Sequence, residues 1–124
     1  MKRITWVLAA AMTSGLASLL PATAHARALD GPRADIANVD ANGANRYYIE
    51  FYGGETGVVR VVGDGDTNLE VKVYDANGNL ITADSDNDGS GYCEVHFLPY
   101  YTQNFTIRVI NHGDVYNHYT LKTN

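Results

Sequence analysis

Apolar and polar residues alternate along most of this chain from Arg46 onward. Leu69, Val71 and Val73 are separated by Glu70 and Lys72 and followed by Tyr74. Cys93, Val95 and Phe97 interleave with Tyr92, Glu94 and His96, and Phe105, Ile107 and Val109 with Thr106 and Arg108. Val59 and Val61 flank Arg60, and Tyr119 and Leu121 flank Thr120. A period of two turns one set toward a core and the other toward water, as in an antiparallel sheet covered on one side. Helical periodicity is absent. The pattern predicts seven strands: Arg46–Tyr52, Gly57–Val62, Leu69–Asp75, Leu80–Ser85, Tyr92–Leu98, Gln103–Asn111 and Asn117–Lys122. Ahead of them, residues 27–45 read as polar and Ala-rich, with at most a short strand around Ile36 to Val39. Strand starts fall 11–14 residues apart with Gly, Asn and Asp between them. That spacing belongs to sandwiches and barrels.

Two one-sided sheets bury their apolar faces against each other. The expected fold is therefore all-β, an antiparallel β-sandwich of about 7–8 strands. The paired Cys and core Trp of immunoglobulin domains are missing, which favours a jelly-roll-like arrangement. Asp75-Ala76-Asn77-Gly78 predicts a tight hairpin, since Gly adopts positive φ freely. The same four residues recur at Asp40-Ala41-Asn42-Gly43. The residues after the two copies differ, so this is reused turn chemistry rather than an internal repeat.

The first residues have another character. Met1-Lys2-Arg3 is basic, apolar runs come next at Ile4–Ala11 and Leu16–Leu20, and Pro21 and Ala24-His25-Ala26 close the segment. Basic, apolar, then A-x-A is a secretory signal peptide. The apolar part is short of the ~20 residues of a membrane span. Residues 1–26 are expected to be cleaved, 27–45 to form a polar segment and 46–124 the domain. The mature chain is then periplasmic or secreted, with no membrane span.

Charge and cysteine content narrow the function. With 14 Asp+Glu against 9 Lys+Arg, the net charge of −5 argues against a nucleic-acid partner. One Cys makes neither an internal disulfide nor a Cys-based zinc site. Cys93 falls in the apolar set of its strand, where a thiol behaves as a small hydrophobe, and His96 lies on the opposite face. Ser85 and Ser90 sit in an acidic loop without the G-x-S-x-G elbow. The expectation is no enzyme and no catalytic residue; a small hydrolase is the last alternative.

Two residue sets carry binding chemistry. Alternating connections put the loops at 63–68, 86–91 and 111–116, and the loop of Asp40, at one end of the sandwich. That end gathers Asp64, Asp66, Asp86, Asp88 and Asp114, with Asp84 nearby. Crowded, unpaired carboxylates repel one another, and calcium is the candidate cofactor. Asp84-Ser85-Asp86-Asn87-Asp88-Gly89 also reads D-x-D-x-D-G, with oxygens at alternate positions and a Gly for the sharp turn. The twelfth position of that loop is Val95 rather than Glu, and no helices flank it. The competing reading is solvated turns. The second set is tyrosine: Tyr48, Tyr52, Tyr74 and Tyr92 on wet faces, with Tyr100, Tyr101 and Tyr116 in loops. Tyr supplies rigid contact area and a hydroxyl to binding faces. A contiguous patch favours binding; scattered rings favour a structural role.

The stretch from Tyr48 to the C-terminus resembles the bacterial pre-peptidase C-terminal domain family, related to the collagen-binding domains of clostridial collagenases. Phe51-Tyr52-Gly53-Gly54-Glu55-Thr56-Gly57 is similar to its aromatic-then-Gly hairpin. Gly63-Asp64-Gly65-Asp66-Thr67-Asn68-Leu69-Glu70-Val71 stands at its acidic segment, with Asn68 and Glu70 in place of aspartates. Val73 to Leu80 is similar to its tyrosine, aspartate and Asn-Gly turn. Phe105-Thr106-Ile107-Arg108-Val109 and Tyr119-Thr120-Leu121 are similar to its last two strands. The resemblance implies a non-catalytic module that binds an extracytoplasmic protein or polysaccharide, through exposed tyrosines and with calcium in some members. Because family members trail secreted hydrolases, an accessory, inhibitor or chaperone-like partner of a separate hydrolase is the alternative.

Overall fold

The computed structural model describes residues 28–124; the expected signal peptide at 1–26 lies outside them. The eight strands, in chain order, are β1 Arg33–Val39, β2 Ala44–Phe51, β3 Gly57–Val62, β4 Leu69–Tyr74, β5 Leu80–Ser85, β6 Tyr92–Phe97, β7 Gln103–Asn111 and β8 Asn117–Thr123. They form two four-stranded sheets in the orders β1-β8-β3-β6 and β2-β7-β4-β5. Every pairing is antiparallel. Only β4 and β5 are neighbours in both sequence and sheet; each other connection crosses from one sheet to the other. That is the jelly-roll arrangement. Among the described residues no helix is long and apolar enough to cross a membrane.

The alternating residues meet between the sheets. Val59, Val61, Val71, Val73, Ile107, Val109, Leu69 and Leu121 are fully buried. Phe51, Phe97 and Phe105 close one end of the core, with ring centroids 4.9, 5.9 and 4.9 Å apart at steep angles. Edge contacts of this kind add to area burial because each ring's positive rim meets a negative face. Tyr119 is buried with its hydroxyl bonded to that of Tyr47 at 2.6 Å, and Asn45 Nδ2 donates to it at 2.9 Å. Cys93 is buried, with its thiol donating to Leu69 O at 3.4 Å. Burial first, then the charges of Asp84, Asp86, Glu70 and Asp88, push that thiol up to about 12. It is a core group, not a nucleophile.

One expectation needs correction. The stretch at 27–45 is more than a polar segment, because Arg33–Val39 pairs with β8 along seven positions. The sandwich thus begins ahead of the expected boundary at 46. The sequence hides this strand because it lies at a sheet edge: Ile36 points outward, 71% exposed, while Ala37 faces in and only Val39 is fully buried.

The two copies of Asp-Ala-Asn-Gly make different turns. Asp75–Gly78 joins β4 to β5, with Gly78 at φ +84° and its N–H on Asp75 O. In Asp40–Gly43, which leads from β1 to β2, Asn42 takes the positive φ of 54° instead, while Gly43 N–H bonds Asp40 O.

Candidate functional site

The loops 40–43, 63–68, 86–91 and 112–116 converge at one end, as the alternating connections predict. Gly63 N bonds Gly91 O at 2.6 Å, Asn42 N bonds Gly113 O at 2.9 Å, and His112 N bonds Asn68 O at 3.0 Å. Buried Asn111 stitches them further, its Nδ2 donating to Val39 O, Asp40 O and Val115 O.

The expected crowd of unpaired carboxylates at this end is largely otherwise engaged. Asp64 accepts from His118 N and Asp66 N, each at 2.9 Å, and those bonds hold its carboxyl below the ordinary value. Asp88 accepts from Ser90 N at 3.0 Å and is lowered by that bond. Asp84 accepts from Glu94 N at 2.9 Å. These side chains cap turn and strand N–H groups, the common work of Asp in loops. Asp66 and Asp114 are exposed. Among the described residues no three His, Cys, Asp or Glu groups stand close enough to share a metal ion. Asp86 differs from the rest. It is 1% exposed, its Oδ1 accepts from Ser90 Oγ at 3.3 Å, and its Oδ2 has no hydrogen-bond partner.

The seven tyrosines do not make one patch. Tyr48 and Tyr74 share a row on the outer face of β2-β7-β4-β5, with Thr106 between them. Tyr92 lies on the outer face of the other sheet, its hydroxyl bonded to Glu94. Arg60 Nε and His96 Nε2 meet the same carboxylate at 2.8 and 2.5 Å. Tyr116 stands in the loop before β8, Tyr52 just beyond β2, and Tyr100 and Tyr101 between β6 and β7.

Tyr100 and Tyr101 belong to a different surface, at the end opposite the acidic loops. There Leu98, Pro99, Tyr100, Tyr101, Ile81, Phe97 and Phe105 enclose a cleft of about 400 Å³ with Asp75 and Gln103. Tyr100 is 96% exposed and Leu98 60%, and Leu80 and Ile81 are exposed beside them. Phe97 and Phe105 of the phenylalanine cluster form the floor. Gly53 sets the rim, since a Cβ there would lie 2.4 Å from Tyr101 Cα. The acceptors of Asp75 and Gln103 are engaged within the chain: Asp75 Oδ1 accepts from Asn77 N and Asn79 N, and Gln103 Oε1 accepts from Ala76 N. What remains is an apolar recess of the size ligand sites have. Sequence reasoning missed Leu80, Ile81 and Leu98. The signal was present, because four apolar residues in a row at 98–101, in a turn, are an anomaly unless they have a use.

The cysteine and the described histidines stand apart from one another. Cys93 is buried away from the exposed His96, and His112 and His118 bond Glu70 and Asn38 at the surface.

No family model and no curated protein matches the chain by sequence. Solved structures do match in shape. The pre-peptidase C-terminal domain of collagenase from Bacillus anthracis is similar with a TM-score of 0.63 and 9% identity, covering 74% of this chain and 88% of that one. The Yersinia pseudotuberculosis-derived mitogen is similar with a TM-score of 0.54 and 12% identity, over 75% and 84%. PliG from Aeromonas hydrophila, a periplasmic inhibitor of g-type lysozyme, is similar with a TM-score of 0.51 and 16% identity, over 74% and 83%. The fold is thus that of the pre-peptidase C-terminal domain.

Proposed function

We propose that this chain is a non-catalytic, extracytoplasmic binding module that docks on a protein through the cleft between β5, β6 and β7. The observation that carries the reading is the cleft itself: a recess of about 400 Å³ over buried phenylalanines, rimmed by exposed Tyr100, Tyr101, Leu98 and Ile81. Exposed apolar area of this kind stabilises an interface when a partner covers it, and Tyr anchors dominate such contacts. A protein partner suits it better than a polysaccharide, because the lining is mostly apolar and aromatic and its carboxylate, Asp75, and the amide oxygen of Gln103 are already hydrogen-bonded within the chain. The fold neighbour named as a lysozyme inhibitor fits a docking role and does not choose the target.

The test is a photo-crosslinking residue at position 100, compared with one at Tyr92 on the far sheet, in an extracytoplasmic extract of the host. Adducts from position 100 alone, competed by excess unlabelled protein but not by Leu98→Ala/Tyr100→Ala, are expected. Both side chains are largely exposed, so the double variant should fold. Equal adducts from both positions, or none from position 100, would overturn the reading.

A second reading is favoured by Asp86. A buried carboxylate oxygen without a partner is costly, and a calcium ion bound weakly at the 84–91 loop would relieve it. Only one buried carboxylate is on offer, not the six to eight oxygens of a full calcium shell, so such a site would be weak.

A further inference from the structure

The face of β2-β7-β4-β5 that points away from the core carries a feature unused by the cleft. Arg46 stands directly opposite Arg108 across β2 and β7, and Arg108 directly opposite Lys72 across β7 and β4. Neighbouring strands are ~4.8 Å apart, so three cations lie in one line across three strands. All three point outward, because the residues that flank them on β7 and β4, Ile107, Val109, Val71 and Val73, are fully buried. Like charges directly opposite each other destabilise a sheet, and this chain carries an excess of acid with which to pair them. It does not do so. Arg33 pairs with Asp35 and Arg60 with Glu94, yet among the described residues Arg46, Lys72 and Arg108 form no ion pair. Arg108 Nε is buried with no hydrogen-bond partner. Glu70, the acid next to the row, is engaged with His112 Nε2 at 2.8 Å. The fold thus keeps an unneutralised cationic line that costs it stability.

The neighbours of the line say what it takes. On one side, in register, lies the row Tyr48, Thr106, Tyr74, with Tyr48 68% exposed. Guanidinium forks match carboxylates bidentately, while an aromatic face beside them takes the C–H face of a sugar ring. An extended peptide would instead add to a free sheet edge through its backbone. The middle of this row sits on β7, an interior strand whose backbone is already paired on both sides. We propose that the Arg46–Arg108–Lys72 row, with Tyr48 and Tyr74 beside it, binds a carboxylate-bearing polysaccharide. The proposal is independent of the cleft. With both, the module joins a protein partner to an acidic matrix.

The experiment is calorimetric titration of the chain with alginate oligomers, neutral dextran and poly-glutamate, at low and at physiological salt. Alginate should bind, more weakly as salt rises, and dextran should not. Arg46→Gln and Lys72→Gln should each weaken alginate binding by about tenfold or more. Both should leave the melting temperature without polymer unchanged or higher, since repulsion is relieved; a folding defect would lower it. Arg60→Gln, on the other sheet, should leave alginate binding intact. The proposal is overturned by absence of alginate binding at low salt, by equal losses in the Arg60 variant, or by dextran binding as tightly. Equal affinity for poly-glutamate would overturn the polysaccharide assignment and give the row to an acidic peptide.

Discussion

Among the described carboxylates, Glu94 is the one whose surroundings act most strongly on its proton. The Tyr92 hydroxyl first, then His96 and Arg60, hold its carboxyl down at about 2, from an ordinary 4.5. A carboxyl that is lowered in the folded state contributes stability that is present above its unfolded value and lost as pH falls through the folded one. The window is therefore pH 4.5 down to about 2. The group lies at the surface, so salt should reduce the effect. Melting temperatures of the wild type and Glu94→Gln should differ at pH 6 and converge across that window, more visibly at low salt. A difference that stays constant from pH 6 to pH 2 would remove Glu94 from the acid response. The sequence could place Glu94 on a wet face next to Tyr92 and His96. It could not bring in Arg60, which reaches Glu94 only because β3 pairs with β6 in that register. Cys93 was readable in full, since its burial comes from the alternation of its own strand.

At the scale of elements, what was readable is what alternates. Gly57–Val62, Leu80–Ser85 and Gln103–Asn111 stand where the pattern put them, and the remaining expected strands differ by a residue or two at their ends. The strand only partly legible is β1, expected as at most a short strand around Ile36 to Val39; its inward positions are Asp35, Ala37 and Val39, and Ile36 faces water. An edge strand buries little, so its sequence carries little periodicity. Its contribution is backbone pairing. A chain starting at Ala44 would leave β8 with a free edge along seven positions and would lose buried Val39 and Ala28. An uncovered edge invites pairing with other chains. The shortened chain should aggregate or melt without cooperativity, while one starting at Ala28 melts cooperatively. Val39→Ala in the longer chain is the milder probe, costing about 1–3 kcal/mol, or a Tm lower by roughly 4–8 °C per kcal/mol. Equal melting of the two lengths would make β1 an appendage.

For the molecule as a whole, the crossing connections decide which loops meet, and the ends could be sorted from connection order alone. What each carboxylate does there could not, because it depends on which N–H groups the folded loops present. Asp64, Asp84 and Asp88 accept from N–H groups of other residues, among them His118, which is distant in sequence. Asp86 remains buried with an unpartnered oxygen, and only folding puts it there. A cation that binds the folded chain alone stabilises it by RT ln(1 + [L]/Kd). Were Asp86 to hold calcium as proposed, with the Kd of ~1 mM of a weak extracellular-type site, 5 mM calcium would contribute about 1 kcal/mol. For a domain of this size that raises Tm by roughly 4–8 °C. Magnesium should do less, because it holds its waters and demands a tighter octahedron. Asp86→Asn should melt at the same temperature with and without calcium, and higher than the wild type in chelator, since a buried charge is gone. Asp66→Asn, on an exposed side chain of the same end, should keep the calcium shift. Melting curves that coincide in EDTA, calcium and magnesium would leave every carboxylate of this end a turn cap or a solvated charge.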